Sequence, residues 1–110
     1  FDPMRNNLRS DVLDELVAAD LVDGIEVLNG KTSLKSLNQK AVAYANEHDL
    51  AIGAGSDAHV AEAIGAAYLE MPDFGSPDEF LDSMRQGRAV GHYYDPPRRW
   101  RPRIVPSTAD

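Results

Sequence analysis

The stretch Leu50-Ala51-Ile52-Gly53-Ala54-Gly55-Ser56-Asp57-Ala58-His59 decides how this chain is read. Leu50 to Ala54 is a brief apolar run of the kind a fully buried parallel strand shows. Asp57 and His59 follow it, two residues apart. In extended backbone such residues point the same way, so a carboxylate and an imidazole would converge on one point. That point lies beyond the carboxyl end of a strand, where α/β folds place their sites. Gly53 and Gly55 leave room for close approach. An oxygen donor beside a nitrogen donor suits Zn, Mn or Fe. The bland alternative is that Asp57 only caps the turn before Val60.

Working outward, the chain reads as alternating helices and strands. Ser10 or Asp11 can cap a helix to about Asp20, with Val12, Leu13, Leu16 and Val17 on one face. Asp23-Gly24-Ile25-Glu26-Val27-Leu28-Asn29-Gly30 reads as a short strand between glycines. Glu26 alternates with Ile25 and Val27 and is assigned no ligand role. Thr32 or Ser33 opens a second helix to about His48, burying Leu34, Leu37, Ala41 and Ala45. One helical turn at 61–64 and a strand at 66–71 follow. Ser76, Pro77 and Glu79 mark the start of a helix to Gln86 by a capping box with proline at its first position. Gly87 is placed to end it in the left-handed conformation. Arg88 to Tyr94 is a final strand.

Such alternation predicts an α/β fold with a mainly parallel sheet and right-handed crossovers. Four short strands with about three helices cover one side of that sheet well and leave the other wanting a partner. The domain is expected over residues 1–94, with an extended Pro/Arg-rich tail at 95–110. Four arginines around Trp100 make that tail basic, and it is expected to lie against acidic surface of its own domain or to be partly disordered.

Composition narrows the function classes. A net charge of -7 argues against general nucleic-acid binding. Zero cysteines removes disulfides, thiolate metal sites and cysteine nucleophiles together. No apolar run is long enough to cross a bilayer. A cytoplasmic home is the default expectation. His48 reads as a helix-closing residue facing the dipole, and His92, beside Tyr93 and Tyr94, as a packing residue.

Three phrases together carry a resemblance. Ile25-Glu26-Val27-Leu28-Asn29-Gly30, then Gly55-Ser56-Asp57-Ala58-His59, then Ile64-Gly65 resemble the closing portion of the PHP (polymerase and histidinol phosphatase) family, over residues 1–94. The resemblance implies the C-terminal part of a distorted (β/α)7 TIM-like barrel. It implies Asp57 and His59 as metal ligands in a cluster of up to three divalent ions (Zn, Mn or Fe). It implies hydrolysis of a small phosphate ester or nucleotide by a metal-activated water, with Arg5 and Asn29 at substrate-contacting positions. The opening Phe1-Asp2-Pro3-Met4-Arg5 is similar to the family phrase H-P-F-D-x-x-R, whose histidine ligand would precede this chain. The partner expected on this basis is the N-terminal half of the same domain, with self-association of the half as a second possibility. The lone chain is expected to be inactive. Two rival functions stand beside this one: a non-catalytic regulatory or interaction half-barrel, and an amidohydrolase-type barrel enzyme.

Overall fold

The computed structural model describes Phe1 and residues 8–96, and Arg5 and most of the basic tail lie outside the described residues. The element order is α1 (Ser10–Ala18), β1 (Gly24–Asn29), α2 (Lys35–Glu47), β2 (Ala51–Gly55), a 3-10 turn (Ala61–Ala63), β3 (Ala67–Glu70), α3 (Pro77–Arg85) and β4 (Arg88–Gly91). Every expected element is present. Among the described residues no helix is long and apolar enough to cross a membrane.

The pairing differs from expectation. β1 and β2 form a two-stranded parallel sheet, as predicted, but β3 and β4 form a separate antiparallel pair with Ala67 opposite Gly91 and Glu70 opposite Arg88. The connection explains the change. A parallel partner requires the intervening helix to return the chain to the start of the first strand. Here Gly87 re-enters against Leu69, with a built Cβ falling 2.9 Å from Leu69 Cδ1, at β3's own carboxyl end. Arg85 fixes that end of α3 by donating to Asp49 O at 2.7 Å. Glycine is required at 87 for this contact and for Met84 O at 2.9 Å, not for a left-handed cap: its φ is not positive.

Two helix ends differ from those expected. Ser10 is the first residue of α1, and Arg9 is the N-cap without a side-chain cap bond. The Arg9 guanidinium instead grips Asp11 at 2.6 Å and holds its carboxyl below the usual range. α2 begins at Lys35 after Leu34, because Thr32 is drawn into the loop by its N–H bond to Asn29 O at 3.2 Å. α3 starts as predicted: Ser76 Oγ accepts from Glu79 N at 3.2 Å, while Glu79 Oε2 accepts from Gly75 N rather than from the cap residue itself. His48 is the C-cap of α2, its ring 4.3 Å from that of Tyr44.

α2 covers one face of the parallel pair. Val27, Ala41 and Ala45 form its buried centre, with Phe1, Ile25, Leu50, Ile52 and Ala89 packed around them. Burying a valine contributes about 1.5–3 kcal/mol and an alanine much less. Two of the three central residues are alanines and therefore weak contributors, and the core is thin. Large apolar side chains stand outside it, with Leu21 70% and Ile64 74% exposed.

Candidate functional site

The site is built at the carboxyl ends of β1 and β2, and its layout depends on an irregularity in β1. Glu26 is opposite Gly53 and Leu28 opposite Ala54, so Val27 is the extra residue of a β-bulge. Bulges re-aim the side chains that follow them. In a regular strand Asn29 would share the face of Ile25 and Val27, which is covered by α2. The inserted residue shifts it to the face of Glu26 instead. The contacts agree: Asn29 Nδ2 donates to Glu26 Oε2 at 3.1 Å and to Asp57 Oδ2 at 3.5 Å.

Asn29 is thus a hub. Its Oδ1 accepts from the Lys31 N–H at 2.9 Å, and its own N–H donates to Asn38 Oδ1 of α2 at 3.3 Å. The strand ends are closed by Gly30 N donating to Gly55 O at 2.9 Å and Tyr94 N donating to Gly30 O at 2.7 Å. Gly30 lets the two strand ends approach closely: a built Cβ would lie 3.0 Å from Ser56 O, so a side chain there would press the Ser56 backbone away by a few tenths of an ångström.

β2 ends at Gly55, and the chain then turns. Asp57 takes φ 49°, a left-handed conformation that aspartate tolerates better than most residues. Asp57 and His59 therefore converge by a turn and not, as the sequence reading had it, by extended alternation. His59 Nδ1 lies 2.8 Å from Asp57 O and 3.7 Å from Asp57 Oδ1. The two side chains are 34% and 46% exposed, so the pair is reachable from solvent.

A ring nitrogen is either donor or acceptor. The contact to Asp57 O calls for an Nδ1–H donor, the tautomer in which the Nε2 lone pair is open to a ligand; backbone carbonyls commonly set a ligand histidine's tautomer this way. Lys31 Nζ lies 3.3 Å from the same Nδ1, a contact that calls instead for an Nδ1 lone pair and an Nε2–H, because an ammonium only donates. That lysine is only 4% exposed as a residue. Neither Lys31 nor the orienting role of Glu26 was found from sequence; both depend on the bulge and the loop after Gly30, which carry no composition signal.

The donor types of Asp57 and His59 fit a divalent cation of the Zn, Mn or Fe kind. Among the described residues no group of three or more His, Cys, Asp or Glu gathers to hold one. The pair fits as part of a site, one short of the three protein ligands that catalytic zinc keeps. His48 and His92 are elsewhere, engaged with Tyr44 and Tyr94 respectively.

A small mixed α/β domain with a carboxylate and an imidazole at the ends of a parallel strand pair is the class that fold and site define. Residues 35–89 match the family described as PHP-associated, and the chain belongs to that family. It is also similar to an uncharacterized protein of Methanocaldococcus jannaschii, 35% identical over 88 residues covering 74% of this chain. The match spans 37% of that relative's length. No solved structure shows a significant match.

Proposed function

We propose that this chain supplies one part of a metal-dependent phosphoesterase site of the PHP type, completed by the N-terminal half of the same domain in a TIM-like barrel. The observation that carries the reading is the convergence of Asp57 and His59, with Nδ1 3.7 Å from Oδ1, at the ends of the parallel strands. Membership of the PHP-associated family supports it. Asp57 and His59 would hold one divalent ion, Zn, Mn or Fe. Such an ion supplies Lewis-acid polarisation of a phosphoryl oxygen and an acidified water.

The chain's own residues prepare that place. The Asp57 carbonyl orients the His59 ring. Asn29 spaces the Glu26 and Asp57 carboxylates by donating to both. Asn29 and Arg5 are the substrate-contacting candidates, for a phosphorylated small molecule or nucleotide. Isothermal titration with Zn²⁺ and Mn²⁺ tests the reading: binding by the chain should be lost in Asp57→Ala and His59→Ala. Unchanged binding in both variants would sink it. The chain alone should turn over p-nitrophenyl phosphate at background rate, since two ligands do not retain a catalytic ion.

A second reading, a non-catalytic interaction half-barrel, draws on the exposed Leu21, Leu34 and Ile64 and the thin core. Apolar side chains left out of a core favour association. Light scattering over a concentration series separates the readings when combined with the titration: association without metal binding favours the second.

A further inference from the structure

The site holds a positive charge of its own. Lys31 is 4% exposed, and its Nζ lies 3.3 Å from His59 Nδ1, the ring atom that also sits 2.8 Å from Asp57 O and 3.7 Å from Asp57 Oδ1. The lysine is held there from both ends. Its N–H donates to Asn29 Oδ1 at 2.9 Å, and the preceding Gly30 is pinned between Gly55 O and Tyr94 N. A nearly buried ammonium is costly unless surrounded by acceptors and opposite charge. The His59 Nδ1 supplies such an acceptor, and the Glu26 and Asp57 carboxylates, bridged by the Asn29 amide, add negative charge to the same strand ends.

We propose that Lys31 is the resident cation of the Asp57–His59 site: its ammonium takes the Nδ1 lone pair and so leaves the proton on Nε2, whereas an ion on Nε2 needs the proton on Nδ1, so the two exclude each other at one imidazole, Lys31 lowers cation affinity and is driven outward when an ion binds. The inference rests on the reading of Asp57 and His59 as ion-holding residues and adds a residue to it. Its cause is elementary. A +1 and a +2 charge held about 6 Å apart repel by the equivalent of about tenfold in affinity even at the dielectric constant of water, and by more in a partly buried site. Lys31 is a positioning residue in this scheme, because it acts on the ion through His59.

Two measurements on the 110-residue chain test it. In Zn²⁺ titration calorimetry, Lys31→Met should bind about tenfold more tightly than the parent chain or better, and Lys31→Arg, which keeps the charge, should stay within about threefold. Amine acylation followed by mass spectrometry reads the parent chain directly and so covers a Lys31→Met variant that fails to fold. With chelator present, Lys31 should label more slowly than the exposed Lys35 and Lys40, and saturating Zn²⁺ should raise its rate towards theirs. Zn²⁺ affinity in folded Lys31→Met equal to or weaker than the parent's would overturn the proposal, as would a Lys31 labelling rate that Zn²⁺ leaves unchanged. If Asp57→Ala abolishes Zn²⁺ binding while Lys31→Met leaves it unaltered, the resident-cation idea fails and the metal reading stands. If neither the parent nor any Lys31 variant binds Zn²⁺, both fall together.

Discussion

Replacing Asn29 by alanine should destabilise the fold, and the structure gives the size of the loss. The amide oxygen is the acceptor for the Lys31 N–H at 2.9 Å, in a residue only 4% exposed. A buried donor left without its acceptor costs about 1–3 kcal/mol. The amide nitrogen's bonds to Glu26 and Asp57 are replaced by water at those exposed carboxylates and add little. For a domain of this size, each kcal/mol moves Tm by about 4–8 °C, so a fall of roughly 5–20 °C is expected by circular dichroism. Asn29→Asp separates the causes. It keeps an oxygen for the Lys31 N–H but sets a third carboxylate beside Glu26 and Asp57. Its deficit should therefore shrink as salt screens the repulsion, whereas that of Asn29→Ala should not. An alanine variant melting within about 2 °C of the parent would refute the hub role assigned to this side chain.

Two further outcomes can be checked by simple means. Gly91→Ala should lower the urea midpoint by the equivalent of about 2–4 kcal/mol with an unchanged m-value, because φ is 142° and a built Cβ would fall 2.2 Å from Ala66 O; an unshifted midpoint would contradict it. Tyr44 is pushed from 10.0 up to about 12, first by desolvation and then by its bond to Asp14 Oδ1 at 2.7 Å. A phenol that holds its proton more tightly when folded stabilises the fold fully below pH 10, and that contribution is lost as pH rises towards about 12. Tyrosinate absorbance should show one late-titrating group, absent in Tyr44→Phe, whose alkaline melting curve should lack the corresponding decline.

Much of the element order was legible because its signals are local. Ser76, Pro77 and Glu79 announce α3, and Ser76 Oγ does accept from Glu79 N. Val12, Leu13, Leu16 and Val17 are the half-buried residues of α1. The pairing of β3 with β4 was not legible, since a strand, helix and strand in succession read as a parallel crossover. Whether α3 carries the chain back to the start of β3 depends on tertiary anchors, Arg85 on Asp49 O and Gly87 on Leu69, that no periodicity reveals. At the site, Asp57 and His59 could be paired from spacing alone, although the left-handed turn at Asp57 could not. Lys31 was invisible for a different reason. Its side chain matters through burial beside a residue 28 positions away, and one lysine after a glycine looks like any surface lysine.

The bulge at Val27 separates two kinds of change in β1. Loss of that one codon would restore regular alternation with Leu28 still opposite Ala54 and Asn29 still opposite Gly55, so the Asn29 amide would keep the Glu26 side and only the buried valine would go. A strand of full length that pulled straight would instead slip its pairing by one residue, bringing Leu28 to the Glu26 side and turning Asn29 toward the helix-covered side. Homologous chains one residue shorter here would thus keep the chemistry of the rim and lose part of the hydrocarbon beneath it.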